Sequence, residues 1–505
     1  MPVQERALRR KLFQAEGGLI VNDNVVGRTE GEATTLVNFE PSIFGGYRRI
    51  TGFSKYSTTE LAGTGKVLGV AVYNAGVVAA RQNTVYFGTG TSWATVATRT
   101  SGLKYQFTKY NWRGPQVLLM ADQVNPGAMY DGTTYTLLND TNFGTKPTQV
   151  FEHNKHIFMD SDDRHSIIFS APYAEIDSDP GNGAGEIVLG DEFVKAISWR
   201  DQLIIFCKTS ILRLQGESEA NWALHTITEN IGCIAAGSVQ EAGGDVLFLA
   251  PDGIRTISGT DKIDDFEIGT LSRNIHPRTD AIFRFTALSE GISSLVVREK
   301  SQYRMFYPED AVDESLSKGI IGGIRGKRDG STPWEWGDLK GIKPYCCDSE
   351  YIGDNETVVH GGYDTGFVFQ QESGNSFAGA VVPAEYVTPD YDFDDQGLRK
   401  VLHKVTVYLR MEGTLAITLN IYYDYNSSTV SQPAPWTLTN TAFAMVYGSS
   451  FVYGTSLYGT DFEPLSSQSV EGSGFTASLG FSTSDIDAPY SIEGFLIEYA
   501  IMERR

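Results

Sequence analysis

Histidines and carboxylates gather in one stretch of the chain, where His153, His156 and His165 are interleaved with Asp160, Asp162 and Asp163. Imidazole and carboxylate groups are the usual ligands of transition metals. The first two histidines are three residues apart, however, and such residues point to opposite faces of a strand. Only a chain that turns back on itself would bring the imidazoles together, so we predict no metal site here.

Two acidic loops contain enough oxygen ligands to raise the question of calcium. They are DSDPGNGAGE at residues 177–186 and DYDFDDQG at residues 390–397. Neither follows the spacing of an EF-hand loop. We predict solvated acidic turns, and calcium binding stays open as the alternative.

Signatures of common enzymes are missing from the sequence. It contains no GxxxxGK[ST], HExxH or GxSxG motif, and its 62 carboxylates offer no specific pair for glycoside hydrolysis. The four cysteines are Cys207, Cys233, Cys346 and Cys347, without a CxxC pair. We predict one buried and one half-exposed thiol for the adjacent pair, no disulfide framework, no catalytic, cofactor-binding or metal-binding residue, and no enzymatic activity.

Composition limits the function further. The 505 residues carry 41 Lys and Arg against 62 Asp and Glu, a net charge of −21, so unaided wrapping of DNA phosphates is not expected. The hydrophobic fraction of 41% excludes a disordered chain, and 53 glycines indicate many turns. No apolar run is long enough for a membrane helix, and we expect neither a signal peptide nor a membrane span.

Short apolar runs return in pairs between residues 66 and 383 and are typical of β-hairpins. If Val78, Val117, Ile157, Leu203 and Val246 mark the first strand of each unit, the units are 39, 40, 46 and 43 residues apart. That cadence is typical of four-stranded propeller blades. We predict an all-β chain with a β-propeller of six or seven blades at residues 66–383; a series of separate β-domains is the alternative.

The two ends of the chain have residue patterns that differ from the propeller-like region. Residues 384–505 alternate with period two in several stretches, which predicts a β-sandwich-like platform domain. This domain has no Lys or Arg from Met411 to Glu503, and Tyr-Gly pairs at residues 446–460 predict a loop suited to subunit packing. Residues 1–65 are interpreted as an N-terminal arm with lead-in strands, in which residues 4–14 have helical spacing and form either a docking arm or a frayed helix.

Four segments carry a resemblance to a known family. They are NFEPSIFGGYRRITGF (38–53), FVKAISWRDQLIIF (193–206), TPDYDFDDQGLRK (388–400) and EGFLIEYAIMERR (493–505). They lie ahead of, within and after the propeller-like region. Together they resemble the tail nozzle, or packaged-DNA stabilisation, proteins of short-tailed bacteriophages.

The resemblance implies a structural virion protein located in the viral tail and assembled in the host cytoplasm. It implies a homohexamer below the portal and adaptor, in contact with tail fibre or tail needle proteins, that retains the genome and guides its ejection without a cofactor. Genomic DNA would pass the anionic wall without tight binding. The basic segments 6–11, 48–49 and 399–410 would then serve contacts with neighbouring subunits.

Two other functions stay open. One is a carbohydrate-binding or depolymerising phage tail protein, in which exposed tryptophans stack on sugar rings. The candidates are Trp93, Trp112, Trp222, Trp334, Trp336 and Trp436. The other is a propeller scaffold of a host cytosol.

Overall fold

The structure is a computed structural model. It describes residues 8–21, 29–42, 45–100, 102–112, 114–262, 270–279, 291–308, 317–325, 334–395, 397–440 and 465–502. The predicted Tyr-Gly loop at 446–460 lies outside the described residues.

Strands make up most of the regular structure. In chain order they are β1 (Arg9–Gln14), β2 (Thr35–Val37), β3 (Phe39–Pro41), β4 (Tyr47–Arg49), β5 (Phe53–Lys55), β6 (Val67–Tyr73), β7 (Gly76–Arg81), β8 (Thr84–Gly88), β9 (Trp93–Thr98), β10 (Gln106–Tyr110), β11 (Val117–Ala121), β12 (Gly127–Tyr130), β13 (Tyr135–Leu138), β14 (Val150–His153), β15 (His156–Asp160), β16 (Ser166–Phe169), β17 (Gly185–Val188), β18 (Phe193–Trp199), β19 (Gln202–Cys207) and β20 (Ile211–Gln215). They continue with β21 (Ala223–Thr228), β22 (Gln240–Ala242), β23 (Asp245–Ala250), β24 (Gly253–Thr256), β25 (Ser293–Val297), β26 (Gln302–Pro308), β27 (Ser317–Ile324), β28 (Trp334–Lys340), β29 (Pro344–Ile352), β30 (Asn355–Gly362), β31 (Val368–Gln371), β32 (Val382–Val387), β33 (Lys400–Met411), β34 (Leu415–Tyr423), β35 (Trp436–Asn440), β36 (Leu465–Ser469), β37 (Ser473–Gly474), β38 (Ala477–Asp485) and β39 (Tyr490–Ile501). One short helix, α1 (Ile257–Lys262), follows β24.

The chain divides into two compact units. The propeller unit contains residues 55–319 and 342–371, and the platform unit contains residues 1–54, 320–341 and 372–505. The sequence-based division placed residues 320–341 in the propeller and residues 1–54 in a separate arm. The structure divides the chain differently because β2 pairs in parallel with β28 and antiparallel with β32, so strands distant in sequence complete one sheet.

Among the described residues, the propeller unit contains six sheets in a propeller arrangement, which confirms the predicted all-β propeller. They are β6–β9, β10–β13, β14–β17, β18–β21, β22–β24 and the sheet with the order β29-β30-β31-β5. The β-hairpins predicted from the apolar runs are present. The five residues used to measure the spacing of the units, however, lie on the second strand of each sheet and not on the first. The first strands, such as β10 and β18, have mixed exposure and therefore a weaker apolar signal.

The first strands meet one another around the propeller. Strand β6 contacts β29 and β10, β10 contacts β14, and β14 contacts β18. The hairpin β25–β26 joins this ring, since β25 contacts both β22 and β29. Between neighbouring sheets the core is apolar; Phe151 and Phe158 of the third sheet, for example, pack with Phe193 and Leu203 of the fourth.

Two sheets form the platform unit, as the alternating pattern predicted. One has the order β3-β4-β39-β33-β36, with β1 and β37 added to it, and the other contains the order β27-β28-β2-β32-β38-β34-β35. Their aromatic side chains meet, because the rings of Phe481 on β38 and Phe495 on β39 are 5.9 Å apart. Phe39 on β3 and Tyr386 on β32 are 6.5 Å apart. This arrangement is a β-sandwich.

The predicted N-terminal helix is wrong for the residues that the structure describes. Residues 9–14 form β1, which pairs antiparallel with β39 from Arg9 opposite Tyr499 to Gln14 opposite Gly494. Pairing with an available sheet edge outweighs a weak helical pattern in a short segment. Across the described ranges, no helix has the length and apolar character needed to cross a membrane.

Candidate functional site inside the propeller ring

The ring of first strands encloses a polar cavity of about 340 Å³. Its lining comes from β10, β18, β22, β25 and β29 and from the segment that precedes β10. The charged and nucleophilic side chains that face it are Lys104, Lys109, Lys195, Cys346, Cys347, Asp348 and Glu350. Strands bring these residues together from positions up to 246 apart in sequence. The cavity therefore brings three ammonium groups, two carboxylates and two thiols to one space.

Lys104 is buried at the cavity wall. Its Nζ donates a hydrogen bond to the main-chain oxygen of Ile292 at 2.6 Å. Burial lowers the pKa of Lys104 to about 8, because an ammonium group loses hydration there. The neighbouring charge of Lys195 lowers it further. Lys104 is therefore an ammonium group at neutral pH, and proton loss is easier than for an exposed lysine.

Lys195 faces the same cavity from β18. Its Nζ donates to the main-chain oxygen of Val239 at 3.2 Å. The side chain keeps contact with solvent through the cavity, although protein surrounds it, and burial lowers its pKa to about 8. The charge of Asp348 acts in the opposite direction. Two lysines with lowered pKa values thus share one space.

The cavity also contains a compact ion-pair network. Lys109 Nζ lies 3.4 Å from Asp348 Oδ2 and 3.5 Å from Glu350 Oε2. The same oxygen of Asp348 accepts a hydrogen bond from the main-chain N–H of Val72 at 2.8 Å. Lys109 therefore lies within ion-pair distance of both carboxylates of the cavity, and with Lys104 and Lys195 the lining holds three ammonium groups against two carboxylates.

The adjacent cysteines differ in exposure, as predicted. Cys346 is buried and Cys347 is partly exposed. Burial raises the pKa of the Cys347 thiol to about 12 and that of Cys346 still further. Both side chains are neutral thiols at physiological pH, and their nucleophilicity is low.

A second cavity of about 580 Å³ shares Lys104, Gln106 and Gly237 with the first. Arg164, Glu192 and Lys208 also face it. Lys208 Nζ is 3.1 Å from Glu192 Oε2, so these groups are paired at the wall.

A third cavity, of about 250 Å³, has an aromatic wall beside two carboxylates. Tyr110 and Trp112 pack edge to face with their ring centroids 4.8 Å apart. The Tyr110 hydroxyl donates to Glu175 Oε1 at 3.3 Å, and Asp131 also faces the cavity. A sugar ring could stack on such an aromatic surface while its hydroxyl groups donate hydrogen bonds to the neighbouring carboxylates.

The histidine cluster does not follow the predicted geometry. A tight turn makes His153 and His156 direct partners in the β14–β15 hairpin, so their side chains project from the same face and not from opposite ones. His153 Nδ1 is 2.9 Å from Ser198 Oγ, and His156 Nδ1 is 2.6 Å from the main-chain oxygen of Ser170. In the described part of the chain, no three His, Cys, Asp or Glu side chains come close enough to hold a metal ion.

The acidic loops use carboxylates for their own turns. In the first loop Asp179 Oδ1 accepts from the Gly181 N–H at 2.8 Å, and Asp177 Oδ2 accepts from Asn182 at 2.8 Å. In the second, Asp392 Oδ1 accepts from the Asp394 N–H at 3.0 Å. These hydrogen bonds stabilise the turns of both loops.

Several basic residues that the resemblance assigned to subunit contacts form ion pairs within the platform unit. Arg10 Nε lies 2.9 Å from Glu498 Oε1, and Lys11 pairs with Glu30 and Asp394. Arg48 bridges Glu40 and Glu412 at 3.0 and 2.6 Å. Intrachain pairing thus accounts for much of the basic charge at 6–11 and 48–49.

Most of the candidate tryptophans pack against protein. Trp222 lies within 5.5 Å of Phe158 and 4.9 Å of Phe169, measured between ring centroids. Trp336 is buried and stacks on Trp334 at 5.6 Å. Trp112 is the one in this set that lines a described cavity.

Sequence reasoning missed the ring cavity. Lys104, Lys195 and Asp348 have no common spacing, and each sits in a strand or turn of ordinary composition. One signal was present, namely isolated lysines next to or within apolar strand patterns, as in FVKAISW at 193–199.

Comparison with known proteins found solved structures of low similarity, with TM-scores below 0.5. No protein-family model and no curated protein matches the sequence. The extracellular domain of a one-component system from B. thetaiotaomicron is 10% identical, with a TM-score of 0.39 over 66% of this chain and 41% of that chain. An ancestral GH74 enzyme is 11% identical, with a TM-score of 0.42 over 67% of this chain and 52% of that chain. The computationally designed Ika8 protein is 10% identical, with a TM-score of 0.35 over 63% of this chain and 99% of that one. These values carry no argument about function.

Proposed function

We propose that this chain is a structural virion protein, a tail nozzle that forms the DNA exit channel of a short-tailed bacteriophage. In this proposal six copies assemble below the portal and adaptor, retain the packaged genome and guide its ejection. The copies contact tail fibre or tail needle proteins, and the role is structural, without catalysis or a cofactor.

One observation carries the proposal: three segments of the phage-like sequence belong to the same sheet or lead into it. The opening segment at 38–53 contains β4, which pairs with β39. The final segment at 493–505 contains most of β39, and the segment at 388–400 ends at Lys400, the first residue of β33. Lys400 is opposite Ile501 of β39. Three of the four segments therefore fall on the platform unit, and the segment at 193–206 lies on β18 and β19 of the propeller unit.

Charge supports the same role. Six copies of a chain with net charge −21 carry −126. A negatively charged wall repels phosphate, so DNA would slide along it rather than bind. The platform unit contributes strongly, since its sequence from Met411 to Glu503 has no Lys or Arg.

The decisive experiment compares virions made with and without this protein. We expect particles that lack it to package the genome and then lose it on mild heating, because the exit is no longer closed. Encapsidated DNA is measured before and after heating, and complementation with the intact gene is the control. Full, heat-stable particles would contradict the proposal.

A second candidate is a carbohydrate-binding or depolymerising tail protein, favoured by the aromatic cavity of Tyr110, Trp112, Asp131 and Glu175. Binding of the intact chain to host surface polysaccharide tests this role, with Trp112→Ala as the variant. Trp436→Ala is the control, because Trp436 does not line this cavity. Loss of polysaccharide binding in Trp112→Ala alone would favour this candidate.

A further inference from the structure

The ring cavity places two lysine ammonium groups around a space that the nozzle role does not use. Lys104 and Lys195 come from different sheets, and both face the same cavity. Each donates to a main-chain carbonyl, of Ile292 and Val239 respectively. An ammonium group has three N–H donors, so a carbonyl occupies only part of the donor capacity of Lys195.

We propose that this cavity binds a small tetrahedral oxyanion of the phosphate class between Lys104 and Lys195. The cavity of about 340 Å³ is large enough for such an anion with several waters, since one water takes up about 30 Å³ in the liquid. Its lining also includes the polar residues Gln240, Ser293 and Ser294. The proposal stands whether or not the chain is a nozzle.

Electrostatics favour an anion at this position. The cavity lining has three ammonium groups against two carboxylates, and Lys109 lies within ion-pair distance of both carboxylates. The charges of the buried Lys104 and the partly buried Lys195 repel each other, and an anion between them offsets that repulsion and replaces lost hydration. In a chain with net charge −21, such a local excess of positive charge is a specific feature.

Three thiols near the lysines are neutral near neutral pH. The thiols of Cys233, Cys346 and Cys347 act on the two lysines, and burial raises all three thiol pKa values. Lys66 adds a further positive charge near Lys104, and Asp348 acts on Lys195 from β29. Lys104 and Lys195, with pKa values of about 8, therefore lose their charge at a lower pH than the three thiols lose their protons.

Calorimetric titration of the intact chain with inorganic sulfate tests the site, because sulfate keeps its charge across the pH range. The reference is sodium chloride at equal ionic strength. We expect saturable sulfate binding that weakens about tenfold or more in Lys195→Gln, since a charged hydrogen-bond donor is removed. Lys146→Gln removes an exposed lysine outside the cavity and should leave binding unchanged.

A pH series on the unmodified chain gives an independent readout that needs no variant to fold. Sulfate affinity should fall by about tenfold or more between about pH 7 and about pH 9.5, as the two lysines lose their protons. Equal affinity in Lys195→Gln and the unmodified chain would overturn the proposal. A flat pH series, or heat no larger than that of sodium chloride, would overturn it as well.

Discussion

Asp160 and Thr148 form a buried pair in which the threonine holds the carboxylate by two hydrogen bonds. The Thr148 N–H donates to Asp160 Oδ1 at 2.8 Å, and its hydroxyl donates to Oδ2 at 2.9 Å. The Gln149 N–H adds a third hydrogen bond at 3.0 Å. Burial nevertheless dominates and raises the pKa of Asp160 to about 6, because desolvation disfavours the charged form.

This pair predicts a pH-dependent contribution to stability. The folded carboxyl keeps its proton to a higher pH than the unfolded one, so the contribution of Asp160 is complete below about pH 4 and is lost as the pH rises through about 6. Asp160→Asn does not titrate there. We expect its stability deficit relative to the unmodified chain to shrink by about 1 to 3 kcal/mol between about pH 4 and about pH 7.

Thermal unfolding at a series of pH values measures this difference. Other carboxylates, such as Asp131 and Asp191, have lowered pKa values and oppose the trend, but they are common to both proteins and cancel. Parallel stability curves for the two proteins would show that Asp160 titrates normally.

Phe13 predicts how much β1 contributes to the platform unit. The ring is buried and stacks on Tyr391 at 4.2 Å and on Phe495 at 5.2 Å between centroids. Phe13→Ala should lower the free energy of unfolding by about 3 to 5 kcal/mol, because it leaves a cavity in the core. Differential scanning calorimetry would show a lower transition temperature.

The neighbouring Arg10→Ala is the matched control for Phe13. The Arg10 side chain is 68% exposed, and its ion pair with Glu498 lies at the surface. Exposed ion pairs contribute about 0 to 1 kcal/mol. Equal effects of the two substitutions would contradict the burial of the Phe13 ring in the platform core.

Sequence reasoning reached the fold more fully than the site. Apolar strand runs such as β19 and β23 are local signals, and their cadence predicted the propeller. The parallel pairing of Val37 with Asp338 is a contact between residues about 300 positions apart, and no local pattern indicates it. The ring cavity could not be predicted for the same reason, since Lys104, Lys195 and Asp348 line one space only when the strands of the ring come together.

Arg48 predicts an asymmetric response to breaking its ion pairs. Glu40 is almost fully buried, whereas Glu412 has 44% of its side chain exposed. Arg48→Met removes the guanidinium beside a buried carboxylate and should cost about 3 to 5 kcal/mol. Glu412→Gln affects an exposed partner and should cost about 1 kcal/mol or less. Unfolding by urea measures both, and equal losses would argue against the buried position of Glu40.

The four cysteines predict slow and ordered modification of the folded chain. Cys207, Cys233 and Cys346 are buried, and burial raises the pKa of Cys207 to about 12 and that of Cys233 to about 11. The thiolate is the reactive form, so at about pH 8 a disulfide reagent should react on the order of a thousandfold more slowly than with an unfolded chain. Cys347 is partly exposed and should react first. Thiol release is followed by absorbance, and Cys347→Ser should remove the earliest phase while the slower phases remain. Rapid reaction of all four thiols in the folded protein would mean that the sheets around the ring open readily.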